Sequence, residues 1–188
     1  NGQWADGSIR FALDGSGANV GLTDQGPRFQ LFRRKLGTDP SEANLRAETG
    51  LSLISQTPDK SAPAPSEMHE FGVAFDGAAR VAPTGRGKAD HAFNYLVGDA
   101  ANHRQGVPAF NSVWYDDLYP GIALELTGSR TGIKYNFHVA PGADWRTIRV
   151  KYDGIEGLSL RPDGALEIQI ADGWEALADA APYIYQEV

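Results

Sequence analysis

Residues 112–126 read SVWYDDLYPGIALEL. Two carboxylates, Asp116 and Asp117, stand among three aromatic rings, Trp114, Tyr115 and Tyr119. Acids beside rings are the pattern of a sugar site: rings stack on pyranose faces, and paired carboxylates about 5–9 Å apart do acid–base work. Neighbouring strand residues point to opposite faces, so Asp116 and Asp117 make a poor pair across one substrate. The same residues read equally well as strand, turn, strand. VWY ends one strand, DDLYPG turns the chain, and IALEL leaves as the next. An Asp side chain at a turn accepts the backbone N–H two residues on. Pro120 holds Tyr119 extended and Gly121 takes the corner. One of Trp114 and Tyr115 is then core and the other faces out. Trp114, Asp116, Asp117 and Tyr119 form the candidate binding set, and no residue is assigned a catalytic role. A second acid pair, Glu125 and Glu167, converges only if their strands are neighbours.

Other motifs fail on spacing. GSGANVG (15–21) places its third Gly one residue late for a dinucleotide fingerprint and runs on as VGLT, so it reads as a hairpin turn. TGRGKAD (84–90) lacks the Ser or Thr that a phosphate loop needs after Lys88. DGSGANVGLTDQ starts like a calcium loop at Asp14 but ends on Gln25, where a bidentate Glu is required. A weak surface calcium site among Asp14, Asn19 and Asp24 stays open, and no other cofactor is expected. His69, His91, His103 and His138 show no metal-ligand spacing. His138 alternates outward on its strand and reads as exposed and inert. Ser16, Ser52 and Ser159 lack a nucleophile elbow.

The elements that must hold these residues are strands. IKYNFHV puts Ile133, Tyr135, Phe137 and Val139 on one face and Lys134, Asn136 and His138 on the other. IALEL, TIRVKY, LSL, ALEIQI, IRFAL and HEFGVAF repeat this alternation. YPG, TGSRTG, PGAD, YDG, RPDG and ADG punctuate the runs with turn residues. Strands at such spacing, with no helix long enough for a crossover, predict an all-β, antiparallel two-sheet β-sandwich. Residues 37–67 break the pattern. DPSEANLRAETG carries a cap, a first-turn Pro and a Gly stop for a short helix, and SQTPDKSAPAPSE reads as a long flexible loop. At 188 residues one domain, 1–188, is expected. The chain has no cysteine, and a core of this size folds without disulfides. Its formal charge of −7 disfavours nucleic acid, and Arg33-Arg34-Lys35 reads as a solvated strand end. No apolar run is long enough for membrane insertion.

FNYLVGDAANHRQGVPAFNSVWYDDLYPGIALEL, IKYNFHVAPGAD, IRVKYDG, LSLRPDGALEI and PYIYQEV together resemble a domain of unknown function found N-terminal to bacterial SBBP-type β-propeller repeats. NGQWADGSIRF and GLTDQGPRFQLF match its usual start, so the resemblance spans nearly all of the chain outside 37–67. LYPGI followed by VAPGAD is its most specific combination. Ala123 replaces a frequent Asp, and NHRQ (102–105) stands where Trp is frequent. The resemblance implies an exported, extracellular or cell-surface protein with several domains, cut here from a longer chain. Its partners would be the neighbouring propeller repeats and a protein or glycan ligand. The expected function is a non-catalytic module for adhesion, assembly or ligand binding. The alternatives are a carbohydrate-binding module using Trp4, Trp114, Trp145 or Trp174, and a glycoside hydrolase using Glu125 and Glu167.

Overall fold

The computed structural model describes residues 7–14, 18–34, 66–96, 100–129 and 132–186. Within them the chain is all-β, and every strand pairing is antiparallel. The predicted short helix and most of the 37–67 loop lie outside the described residues. At its far end the loop reading is corrected, because Ser66 and Glu67 already belong to a strand.

Among the described residues twelve strands form three sheets. The first holds β1 (Phe11–Asp14), β2 (Ala18–Thr23), β3 (Gly26–Arg34), β4 (Ser66–Phe75) and β9 (Val150–Asp153), side by side in that order. The second runs β5 (Thr84–Tyr95), β6 (Arg104–Tyr119), β7 (Ile122–Ser129), β8 (Gly132–Val139). The third is small: β10 (Gly157–Leu160), β11 (Leu166–Gln169), β12 (Leu177–Asp179). Among the described residues the only helical pieces are two short 3-10 turns, Ala100–Asn102 and Trp145–Thr147.

The register explains the layering. Leu22 pairs with Pro27, Val20 with Phe29 and Ala18 with Leu31; Phe29 pairs with Phe71, and Val73 with Tyr152. All of these lie on one face of the first sheet, because directly paired residues share a face. That single face is covered twice. Val20 and Leu22 pack against Val113, Tyr115, Leu118, Tyr119, Ile122, Leu124 and Leu126 of the second sheet. Leu31 and Phe71 pack against Ile168 and Ile170 at the third. The fold is therefore a sandwich whose second layer is split into two sheets. Each buried aliphatic side chain contributes roughly 1.5–3 kcal/mol.

Tyrosine hydroxyls tie the layers. The Tyr115 hydroxyl donates to the Thr23 carbonyl of the first sheet at 2.8 Å. The Tyr135 hydroxyl donates to Asp179 Oδ2 on β12 at 2.6 Å, linking the second sheet to the third. Burial raises both hydroxyls well above the usual phenol range, with Asp24 adding to Tyr115 and the Asp179 hydrogen bond adding to Tyr135.

β5 carries no clear alternation. Gly85 and Gly87 interrupt it, and the register shifts between Lys88 and Ala92. It is a strand because β6 offers a continuous edge, a tertiary reason that the residues of β5 do not announce.

Candidate functional site

Tyr119 pairs with Ile122, so the β6–β7 turn is only Pro120-Gly121, with Gly121 at φ 71°. Pro at the second position and a positive-φ Gly at the third are what a type II turn needs. The expectation that DDLYPG is all turn is corrected: Asp116, Asp117 and Leu118 remain in β6. Between the pairs Tyr115–Leu124 and Tyr119–Ile122, β6 has three residues where β7 has one. The excess forms a bulge, and Asp117 sits in it at φ 52°. The bulge lets Tyr115, Leu118 and Tyr119 all turn inward, at 1%, 3% and 3% exposure.

Of the candidate set, this separates Tyr119 from the rest. Its ring is in the core. Its hydroxyl lies 3.0 Å from the Asp76 carbonyl and accepts the Arg149 N–H at 3.2 Å. Asp117 is exposed on the bulge. Trp114 and Asp116 face outward, so Tyr115 is the core member of the Trp114/Tyr115 pair.

The outer face of the second sheet gathers the remaining chemistry. Thr84, Trp114, Glu125 and Asn136 form one cross-strand row from β5 to β8. The Arg86 guanidinium carbon lies 4.1 Å from the Trp114 ring centre, and Arg86 Nη2 meets Asp116 Oδ1 at 2.5 Å. Thr84 Oγ1 donates to Asp116 Oδ2 at 3.3 Å. The His138 ring stacks on Trp114, 4.5 Å between centres and 27° between planes. Its partner across the strands is Ala123, whose small side chain leaves the ring room to lean toward β6. Arg86 reaches the indole from β5 and His138 from β8, on opposite flanks of β6, so the indole lies between them. Trp114 Nε1 donates to Ser112 Oγ at 2.9 Å, which fixes the ring in its plane.

Glu125 anchors the other end. His138 Nε2 lies 3.0 Å from Glu125 Oε2, and Asn136 Nδ2 donates to the same oxygen at 3.3 Å. Burial pushes the Glu125 carboxyl up. The bonds from His138 and Asn136, the His138 charge and a bond from Ser112 outweigh it, and the carboxyl sits below its ordinary value. His138 thus faces outward as expected but is not inert: it is stacked and bonded. Ser112, Glu125 and His138 lie together, yet the carboxylate stands between hydroxyl and imidazole. A nucleophilic serine needs the imidazole on its own oxygen, so this order is not a relay.

The Glu125/Glu167 pairing is corrected. Glu125 is on β7 of the second sheet and Glu167 on β11 of the third, so their strands are not neighbours. Of the calcium set, the Asp14 side chain lies outside the described residues. Among the described residues no group of three or more His, Asp and Glu could hold a metal ion.

Trp4 lies outside the described residues. Each of the other three tryptophans has a guanidinium over its ring: Arg86 on Trp114, Arg146 on Trp145 at 4.7 Å and Arg33 on Trp174 at 4.6 Å. Nothing in the tryptophan positions signals this, because each arginine is distant in sequence or on another turn, Arg146 alone excepted. Arg33, read as a solvated strand end, also donates to Glu67 at 2.6 Å and to the Gly173 carbonyl. It pins the loop after β11 to the first sheet. A groove of about 590 Å³ opens beside the Tyr119 hydroxyl, lined by Asp76, Ile148, Arg149, Val150 and Lys151. Its charges are mixed and no set of side chains converges in it.

No curated protein and no solved structure matches the chain. One family model does, over residues 1–188: the domain of unknown function DUF7948, and the chain belongs to that family.

Proposed function

We propose that this domain is a non-catalytic recognition module of an exported bacterial surface or secreted protein, serving adhesion or assembly. The outer face of the second sheet is its docking surface. The partner is protein, with the β-propeller repeats suggested by the sequence resemblance as the first candidate. The observation that carries this reading is the Arg86–Trp114–His138 stack, braced by Asp116 and Glu125 on a face the core does not need. Interfaces concentrate their energy in Trp and Arg side chains held in place before binding. A braced outward indole fits that role better than a solubilising one.

The stack also weighs against the sugar-binding alternative. A sugar-stacking ring must offer a bare face. The Trp114 indole has Arg86 on one side and His138 on the other, whereas Trp145 carries a single arginine and stays 57% exposed. The test is paired binding of the parent and of Arg86→Ala and Trp114→Ala, to the neighbouring domains and to a glycan array. Loss of protein binding in both variants, with melting curves preserved, supports the reading. Glycan binding that survives Arg86→Ala and fails in Trp114→Ala or Trp145→Ala would replace it with the carbohydrate module.

A further inference from the structure

On the outer face of the second sheet Asp116, Arg86, Trp114, His138 and Glu125 touch one another in that order. Asp116 Oδ1 meets Arg86 Nη2 at 2.5 Å, and the guanidinium carbon lies 4.1 Å from the indole centre. On the other flank the imidazole centre lies 4.5 Å from the indole centre, and its Nε2 lies 3.0 Å from Glu125 Oε2. Arg86 and His138 therefore each have the indole on one side and a carboxylate of their own on the other. Of a carboxylate, a guanidinium and an imidazole, only the imidazole ordinarily changes charge between pH 5 and 8. With His138 neutral, two carboxylates face one guanidinium. With His138 protonated, the charges of the row balance.

Neutral His138 spends its proton on Glu125 through Nε2, because an ionised carboxylate only accepts. A second proton, on Nδ1, adds two attractions. The bond to Glu125 becomes an ion pair, sheltered because the Glu125 side chain is only 19% exposed. The ring becomes a cation over an indole, the aromatic face that cations favour most. The opposing charges are few. Arg86 lies across the indole and is paired with Asp116. On β8 the same face carries Asn136 and Lys134, and Lys134 is four residues away, ~13 Å along an extended strand and beyond the reach that salt leaves to exposed charges. On β7 the residue opposite is Ala123, which adds no charge. Burial works against the Glu125 charge, yet the bonds from His138, Asn136 and Ser112 hold its carboxyl below the ordinary value, so it stays ionised in mild acid. The His138 side chain is 44% exposed and exchanges protons with water directly.

We propose that His138 is a pH-dependent clamp on the docking face: in mild acid the imidazolium holds the Trp114 indole against Arg86, and the clamp loosens as the proton leaves toward neutral pH. The clamp regulates the docking role given to this face above and rests on that reading. A ring ordered before binding loses less freedom when the partner arrives, so docking is tightest in mild acid. A group that gains partners on protonation contributes stability that is complete at low pH and lost as pH rises through its titration. The lower limit belongs to Glu125, whose contribution is present above its own titration and lost as pH falls through it. Between the two lies the window in which the row is balanced and the indole most firmly held.

Trp114 Nε1–H donates to Ser112 Oγ, so its exchange with solvent reports how often the stack opens. NMR on the 188-residue chain, with no partner present, compares that exchange with the indole N–H of Trp145, a ring 57% exposed. Taking the ratio removes the pH dependence of the exchange chemistry itself. In the parent the ratio of Trp114 to Trp145 rates is expected to be about 2–5-fold lower at pH 5.5 than at pH 8, the size of one exposed cation–π contact. His138→Gln takes up no proton and should give the same ratio at both pH values. Glu125→Gln should cut the change by half or more. A parent ratio indifferent to pH, or a change that survives in full in either variant, would overturn the proposal. The docking reading fails separately. Propeller repeats that do not bind at either pH would remove that reading and leave the clamp, whereas repeats that bind beside a pH-indifferent ratio would keep the reading and remove the clamp.

Discussion

Replacing Tyr115 with Phe removes one oxygen and keeps the ring. The hydroxyl donates to the Thr23 carbonyl at 2.8 Å, across the two layers of the sandwich. Tyr115 is 1% exposed and Thr23 3% exposed, so water cannot take over. The Thr23 hydroxyl cannot substitute either, since it already donates to the Gly26 carbonyl and accepts the Gln25 N–H. The variant therefore leaves a buried acceptor unpaired, which costs about 1–3 kcal/mol. For a chain of this size that lowers Tm by about 4–8 °C at the middle of the range. Differential scanning calorimetry of the parent, Tyr115→Phe and the exposed control Tyr183→Phe measures it. The control should change by less than about 0.5 kcal/mol. The hydroxyl also shapes the alkaline limb. Burial raises its folded pKa above the ordinary 10.0. A raised pKa means stability that is complete below that ordinary value and is lost as pH climbs toward the folded one. Tyr115→Phe should thus lose stability less steeply above pH 10 than the parent does. A loss under about 0.5 kcal/mol at neutral pH, or an unchanged alkaline slope, would refute the inter-sheet bond as a stabilising strut.

Other expectations concern the site and its supports. Glu125 is held below its ordinary 4.5, so the stability it contributes is present above that value and fades as pH falls through it; Glu125→Gln should flatten the acid limb, and an identical limb would mean the His138 and Asn136 bonds count for nothing. Asp117 sits at φ 52° in the bulge, so Asp117→Gly should be nearly neutral while Asp117→Val costs about 1–2 kcal/mol by urea titration, and the reverse order would deny the strain. Asp116→Ala should cost less than about 1 kcal/mol, because its Arg86 partner and the carboxylate are both near half-exposed and the pair is screened. Gly26 has φ 125° and an added Cβ would collide with the Val73 carbonyl, so Gly26→Ala should cost about 3 kcal/mol and melt far below the parent.

The strands that alternate cleanly were legible. IALEL and IKYNFHV declared which face is apolar, because every second side chain points the same way; β7 buries that face fully, whereas β8 half-buries Ile133 and Phe137 and leaves Tyr135 and Val139 exposed. The glycines and prolines of YPG, RPDG and ADG marked turns for the same local reason. Such signals depend only on near neighbours in the chain. β5 gave no such signal, since its place rests on the edge that β6 supplies. Tyr183 and Tyr185 alternate as strand residues do, yet 183–186 belong to no strand, because a strand exists only where a second backbone meets it. The acids and rings of SVWYDDLY were visible, but their roles were not. A bulge of two residues sent Tyr119 inward and Asp117 into a left-handed turn, and bulges answer to the partner strand's register. The pairing of Trp114 with Arg86, 28 residues before it, and His138, 24 after, follows from the order β5-β6-β7-β8. Period and turn chemistry are written locally. Which strand lies beside which is decided by how one face of the first sheet is covered, and the site inherits its geometry from that choice.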